Sequence, residues 1–280
     1  MGVLIGSAAL AAGTVTRHEL RTRYRRMFPD VYGPLNPSIR DRACGAWLWS
    51  RRRGVVAGVA ASALHYAKWV DDEVPVEMLW VNTHPPKGLI ARAEAWAEDE
   101  VTTVAGIRVT TRARTIFDLG RHLERDAAVA RIDALLNRGQ VSVDDVLPLL
   151  ARYPHARGIA DLRTALGLVD AGADSPRETR LRLALSDAGM RPTGTQIVVR
   201  DARGRIIAKV DMGWEDLKIA VQYDGGHHQT DRVTYVRDQK VNRDLAALRW
   251  IVIRVIAEDS DADAVGRTAA ALYSRGWRAA

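Results

Sequence analysis

The chain has 280 residues, of which 47% are hydrophobic and 27% charged. That balance suits a folded protein with real cores and excludes a disordered chain, and at roughly 100 to 200 residues per domain the length suggests two or three domains. A formal net charge of +7 and a pI of about 9.8 favour an anionic partner without identifying it. The single cysteine, Cys44, excludes an internal disulfide and a Cys-rich zinc site, fits a reducing compartment, and reads as a small core residue.

The apolar run at 3–15 is too short to span a bilayer and lacks the basic residues that precede the hydrophobic core of a signal peptide, so the chain is expected to be cytoplasmic, with no membrane partner. Its charge is uneven. Residues 1–70 hold eleven Lys/Arg against three Asp/Glu, a larger excess than that of the whole chain, and the remainder is close to neutral. A basic N-terminal unit joined to a balanced C-terminal one suggests that the first holds a phosphate backbone. The plainer reading is a solvated basic face.

In chain order, 3–12 is expected to be an alanine-rich helix ended by Gly13, with Thr14 or Thr16 capping a second helix over 17–27. Helix, short turn, helix and then an extended Val31-Tyr32 segment is the order of a winged helix. Arg21, Arg23, Arg25 and Arg26 would then meet DNA, together with Arg51, Arg52 and Arg53 after a third helix over 39–51. Trp47 and Trp49 on that helix fit the core better than base stacking. A small-residue helix is expected over 58–66 and strands over 76–81 and 107–110, with a domain boundary near residue 85. A mostly helical middle segment follows, with helices over 114–123, 126–138, 143–152 and 158–168. It offers no catalytic constellation: Arg112, Thr115, Asp118 and His122 share helical spacing, which reads as a solvated face with ion pairs.

The linker at 168–179 marks the last domain, 172–280. Ser175, Pro176 and Glu178 open a helix to about residue 188 as N-cap, N1 and N3, and a capping box is the plain explanation of Glu178. Strands are expected at 196–199, at 206–211 ending on Asp211, and at 217–221 leading into Gln222, Tyr223 and Asp224. A helix at 235–248, a strand at 250–256 and a helix at 262–275 complete the order αβββαβα, a small mixed sheet flanked by helices in a chain that is α+β overall. Two apolar strands thus deliver oxygen ligands to one place, the arrangement that holds Mg²⁺ against a phosphodiester.

Glu178, Asp211, Gln222-Tyr223-Asp224-Gly225, His228, Tyr235-Val236-Arg237-Asp238 and the run from Leu248 to Val255 resemble, in this order, the PD-(D/E)XK nuclease fold. The branch they are most similar to is that of the very-short-patch repair (Vsr-type) endonucleases, in a domain of unknown function. Residues 1–85, with Val31-Tyr32-Gly33-Pro34-Leu35 and the stretch from Gly58 to Trp69, resemble the winged-helix part of AbiEi-type antitoxins. The first resemblance implies a metal-dependent DNA endonuclease. Asp211, Glu178 and the Gln222 side-chain oxygen or a neighbouring backbone carbonyl would bind Mg²⁺ or Mn²⁺, His228 would move the proton, and Asp238 would orient His228 or the water.

The sequence departs from the family motif, which places lysine two positions after an acid: Gln222 replaces the acid and Asp224 the lysine. Lys209, Lys218 and Lys240 are all open as substitutes. The rival reading is a non-catalytic, antitoxin-like DNA-binding regulator with a degenerate nuclease fold; an RNA-directed enzyme ranks last, since no RNA-recognition signature is present. One active site makes one nick, so double-strand cleavage calls for a homodimer or two encounters. DNA is the expected partner and the nucleoid the expected location.

Overall fold

The computed structural model describes residues 2–81, 84–224 and 232–278, with backbone alone for 232–235. The chain divides into two compact units, 1–171 and 172–280.

The first unit opens with β1 (Leu4–Ile5), α1 (Gly6–Ala11), α2 (Arg17–Thr22), β2 (Arg25–Phe28) and β3 (Val31–Gly33). Thr16 caps α2 through a reciprocal box: its hydroxyl accepts from the Glu19 amide at 3.1 Å and its own amide donates to Glu19 Oε2 at 2.9 Å. The three strands form a sheet in the order β1-β3-β2. Two expectations are corrected here. Leu4 and Ile5 pair with β3 rather than joining the first helix, and the helix expected over 17–27 stops at Thr22 because Arg25 and Arg26 pair with Gly33 and Tyr32. Strand pairing overrides the helical propensity of arginine.

Then come α3 (Ile39–Trp49), β4 (Val55–Ala57), α4 (Gly58–Leu64), β5 (Val76–Leu79), β6 (Leu89–Arg92), β7 (Val101–Val104), β8 (Ile107–Thr110), α5 (Arg112–His122), α6 (Arg125–Leu136), α7 (Leu147–Arg152) and α8 (Ile159–Leu166). Five strands make one sheet, ordered β6-β5-β4-β8-β7. Residue 85 falls between β5 and β6, which are neighbours in that sheet, so the segment after it supplies strands as well as helices. Trp47, Trp49 and Cys44 pack against the core of this region, and burial pushes the Cys44 thiol up.

Helix α5 is the larger correction. Its charged face is not solvated: Thr115 and Asp118 are buried, and α5 packs against α4, α6 and α8. Arg114, 1% exposed, donates from Nε to Asp118 Oδ1 at 3.0 Å and from Nη1 to Glu100. Arg121 donates to the same Asp118 oxygen at 3.1 Å and to Glu94. Arg152 and Tyr153 complete Glu100 at 2.5 and 2.8 Å, and His122 Nε2 lies 2.9 Å from Glu94 Oε1. The spacing that signals ion pairs on a surface helix here forms an internal network.

The second unit runs α9 (Pro176–Asp187), β9 (Gly194–Arg200), β10 (Ile206–Trp214), β11 (Ile219–Asp224), α10 (Arg232–Ala247), β12 (Ile251–Ile256) and α11 (Asp261–Ser274), the order αβββαβα. The sheet order is β12-β11-β10-β9: β9, β10 and β11 are antiparallel neighbours, and β11 runs parallel to β12 through the α10 crossover. Each sheet face buries a core. Leu181 and Leu185 of α9 and Leu272 of α11 pack with Met212, Trp214 and Val221 on one side, whereas Leu245 of α10 packs with Ile197, Val210 and Ala220 on the other. Each such side chain contributes about 1.5–3 kcal/mol by leaving water.

Strand β10 does not end at Asp211 but runs on to Trp214. Gly213 permits this, because a Cβ there would lie 2.1 Å from the Ile219 carbonyl oxygen. The turn into β11 therefore begins only after Trp214, whose Nε1 donates to the Arg191 carbonyl at 3.1 Å. Among the described residues, no helix is long and apolar enough to cross a membrane.

Candidate functional site

Glu178 lies in the first turn of α9, with Pro176 opening the helix and the Ser175 hydroxyl accepting from the Glu178 amide at 3.3 Å. The reciprocal half of a capping box is replaced. Glu178 Oε1 accepts from the Ser175 hydroxyl at 2.9 Å, and Oε2 accepts from the Asp174 amide at 3.1 Å and from Gln196 Nε2 at 3.2 Å. Capping thus explains part of the role of Glu178 and leaves its bond to β9 unexplained. The side chain is buried at 9% exposure, and that burial raises its pKa.

Asp211 marks the point where β10 and β11 part. The ladder pairs Met212 with Val221, and one residue on, Asp211 Oδ2 takes the Tyr223 amide at 2.7 Å in place of a main-chain carbonyl. Two neighbours of Asp211 on its own strand pack on opposite sides of the sheet, Val210 with the α10 core and Met212 with the α9 and α11 core. Regular alternation would put both on one side, so the strand is locally rotated at Asp211. On β9, between the partners of those neighbours, Gln196 has φ +51°. Burial, then the charges of Glu178 and Asp174, push the Asp211 carboxyl up to about 6, against the pull of the Tyr223 amide and of Lys209.

Lys209, two residues before Asp211 on β10, lies 3.9 Å from Asp174 Oδ2. The other lysines are elsewhere: Lys218 Nζ donates to the Leu248 carbonyl at 3.2 Å, and Lys240 is exposed on α10. Of the three open substitutes for the family lysine, the structure brings Lys209 to the carboxylates.

Gln222 is placed differently. Val221 and Tyr223 pack toward α9 and α11, so alternation along β11 sends Gln222 to the α10 side, beside Arg254, its partner on β12. Arg254 in turn bonds Asn242 of α10 at 2.6 Å and stands 3.9 Å from Asp224. No hydrogen bond joins Gln222 to Glu178 or Asp211 among the described residues. Asp238 is exposed on α10, without a bond or ion pair to either carboxylate among those residues. His228 lies outside the described residues.

No group of three or more His, Cys, Asp and Glu that would hold a metal ion is present among the described residues. The donor chemistry nevertheless fits Mg²⁺ or Mn²⁺, which take hard oxygens and retain water, Mg²⁺ commonly on one or two carboxylates plus substrate phosphate. Asp211 Oδ1 has no hydrogen-bond partner among the described residues, and Lys209 offsets part of the charge of the two carboxylates. Asp174 and Gln196 were missed in the sequence: one reads as linker and the other as ordinary strand.

In the first unit, Arg21, Arg23, Arg25, Arg26, Arg51, Arg52 and Arg53 are all exposed. Arg21 and the C-cap Arg23 come from α2, whereas Arg25 and Arg26 come from β2, where successive side chains take opposite faces. Arg23 pairs with Glu19 at 3.2 Å and Arg52 lies over Trp47 at 5.5 Å.

The chain is similar to two uncharacterized proteins of Mycobacterium tuberculosis, one from strain CDC 1551 and one from strain H37Rv. Each is 25% identical over 252 residues, which cover 88% of this chain and 92% of the relative. No family model matches the chain, and no solved structure does.

Proposed function

We propose that the chain is a metal-dependent DNA endonuclease whose chemistry is carried by the second unit and whose DNA contacts are carried by the first. The observation that supports this most is the pair Glu178 and Asp211, the first buried and the second half-buried, with no arginine hydrogen-bonded to either among the described residues. Burying charge in that way costs stability, and sites that retain it are enriched in function.

A bound Mg²⁺ or Mn²⁺ would neutralise charge developing on the phosphorus oxygens and lower the pKa of a coordinated water. Glu178 and Asp211 would hold it, with Asp174 at the rim. Lys209 takes the place of the motif lysine, its ammonium set to bind a nonbridging phosphate oxygen on the same side as Glu178. Tyr223 fixes Asp211 through its amide and carries Arg177 over its ring at 5.8 Å, a cation for the flanking backbone. His228 retains its assignment as proton carrier by resemblance. Gln222, facing α10, leaves the ligand set in this reading.

The β1–α1–α2–β2–β3 segment has the order of a winged helix lacking its first helix, and its four exposed arginines on α2 and β2 would grip phosphate. Double-strand cleavage would require a homodimer or two encounters.

The second reading is an antitoxin-like DNA-binding regulator with a decayed nuclease fold, favoured by the position of Gln222 and by the lack of a three-residue metal group among the described residues. The discriminating experiment incubates the protein with supercoiled, linear, mismatched and single-stranded DNA in Mg²⁺, Mn²⁺ or EDTA, beside Asp211→Ala. Cleavage that needs both metal and Asp211 is expected. Binding without cleavage under every condition would establish the regulator.

A further inference from the structure

We propose that Gln196 is a positioning residue of the carboxylate site: its left-handed backbone aims its side-chain amide at Glu178 and holds that carboxylate toward Asp211. The inference rests on the cation-binding reading of Glu178 and Asp211. It begins from an anomaly in β9. Among the described residues, Gln196 is the one non-glycine with positive φ inside a strand; the others with that conformation lie outside strands, in turns and connections. An L-residue with a Cβ adopts it at a cost, and glutamine lacks the local hydrogen bonding that lets Asn and Asp visit it.

The strand does not end there. Thr195 and Ile197 pair with Met212 and Val210, so the ladder continues on both sides of Gln196 and Asp211. The change of core face occurs across these same two positions, Ile197 and Val210 packing toward α10 and Met212 toward α9. The unusual backbone of one strand is therefore opposite the acid of the other. The Gln196 amide donates to Glu178 Oε2 at 3.2 Å, the one hydrogen bond among the described residues that ties this carboxylate to the sheet rather than to its own helix end.

Two parts of that geometry separate under mutation. Glycine at 196 accepts the backbone without strain and deletes the donor, so a purely structural residue would be improved by it or left unchanged. Asparagine tolerates the same φ but is one methylene too short to reach Glu178. Residues that orient a metal-binding carboxylate typically affect affinity by about 10- to 100-fold.

The test measures Mn²⁺ affinity by the electron paramagnetic resonance signal of free Mn²⁺, and the Tm of the metal-free chain, for wild type, Gln196→Gly, Gln196→Asn, Glu178→Gln and the Gln196→Gly/Glu178→Gln double variant. Gln196→Gly and Gln196→Asn are expected to weaken Mn²⁺ about tenfold with Tm unchanged or raised, and the double variant to bind no worse than Glu178→Gln alone. Wild-type affinity in both position-196 variants would overturn the positioning role while leaving the cation site standing. So would affinity that falls only together with Tm in both variants. A wild-type chain that binds no Mn²⁺, or binds it equally without Glu178, would overturn the cation reading and this inference with it.

Discussion

Glu94 in the first unit and Asp211 in the second receive the same push and end at opposite extremes. For both, burial is the largest influence and raises the pKa. Glu94 is met by His122 and Arg121, whose hydrogen bonds and charges bring it down to about 2. Asp211 is met by one backbone amide and two further carboxylates, and rises to about 6. The first unit surrounds Asp118, Glu100 and Glu94 with Arg114, Arg121, Arg152 and His122, whereas among the described residues of the second Glu178 and Asp211 have Lys209 at the rim. Paired buried charge is architecture; charge left uncompensated beside a strand junction is what a cation site requires.

The sharpest way to break the comparison is at its paired end. Arg114→Ala strands Asp118 and Glu100 without their shared guanidinium and should cost about 3–5 kcal/mol in urea unfolding. A loss below about 1 kcal/mol would mean that the network is dispensable and the contrast with Asp211 empty.

At the unpaired end the sign reverses. The raised pKa of Asp211 means that the folded chain keeps a proton between about 4, the unfolded value, and about 6, so this group's contribution to stability falls as pH rises through that window and stays low above it. Asp211→Asn keeps an oxygen for the Tyr223 amide and removes the charge. It should stabilise the chain by up to about 3 kcal/mol at pH 7.5, with little gain at pH 4, while abolishing metal-dependent cleavage. Equal effects at both pH values would remove burial of charge as the cause.

Glu94 gives a smaller effect of the opposite sign. Its depressed pKa contributes stability above its usual range near 4.3, and that contribution is lost as pH falls toward about 2. Glu94→Gln should flatten the acid side of the unfolding free-energy profile by about 1–2 kcal/mol, since its side chain is 30% exposed and partly screened. Smallest of all, Lys209→Met should raise the Asp211 titration midpoint by a fraction of a pH unit in carboxyl-carbon NMR, because the pull of Lys209 on it is smaller than the effects of burial, the Tyr223 amide and the neighbouring carboxylates. No movement would detach Lys209 from the site.

The second unit was legible in its order because its strands are apolar runs separated by turns and its first helix carries the cap Ser175. The end of β10 was misplaced: Gly213 and Trp214 look like a turn, and the close approach of Gly213 to Ile219 is a tertiary fact. In the first unit, the strand at Arg25–Phe28 was hidden by helix-favouring arginines, and β4, β6 and β7 are too short, at three or four residues, to show a period. The burial of Arg114 and Asp118 was illegible because i,i+4 charge spacing is the same whether water or another helix covers it. For the candidate site, Asp211 was singled out as the acid at a strand end and Glu178 by the family resemblance, its own sequence context reading as a helix cap. Asp174 and Gln196 were not, since the first depends on where a linker folds back and the second on a single backbone angle.

The most direct test of the uncompensated pair is the Tm of wild type and of Asp211→Asn at pH 7.5 with and without Mn²⁺. Ligand that binds only the folded state raises Tm. The expected result is a Mn²⁺-dependent rise for wild type and none for Asp211→Asn, which already has the higher metal-free Tm. A wild type indifferent to Mn²⁺, or an equal rise in both proteins, would contradict the assignment of Asp211 to a cation.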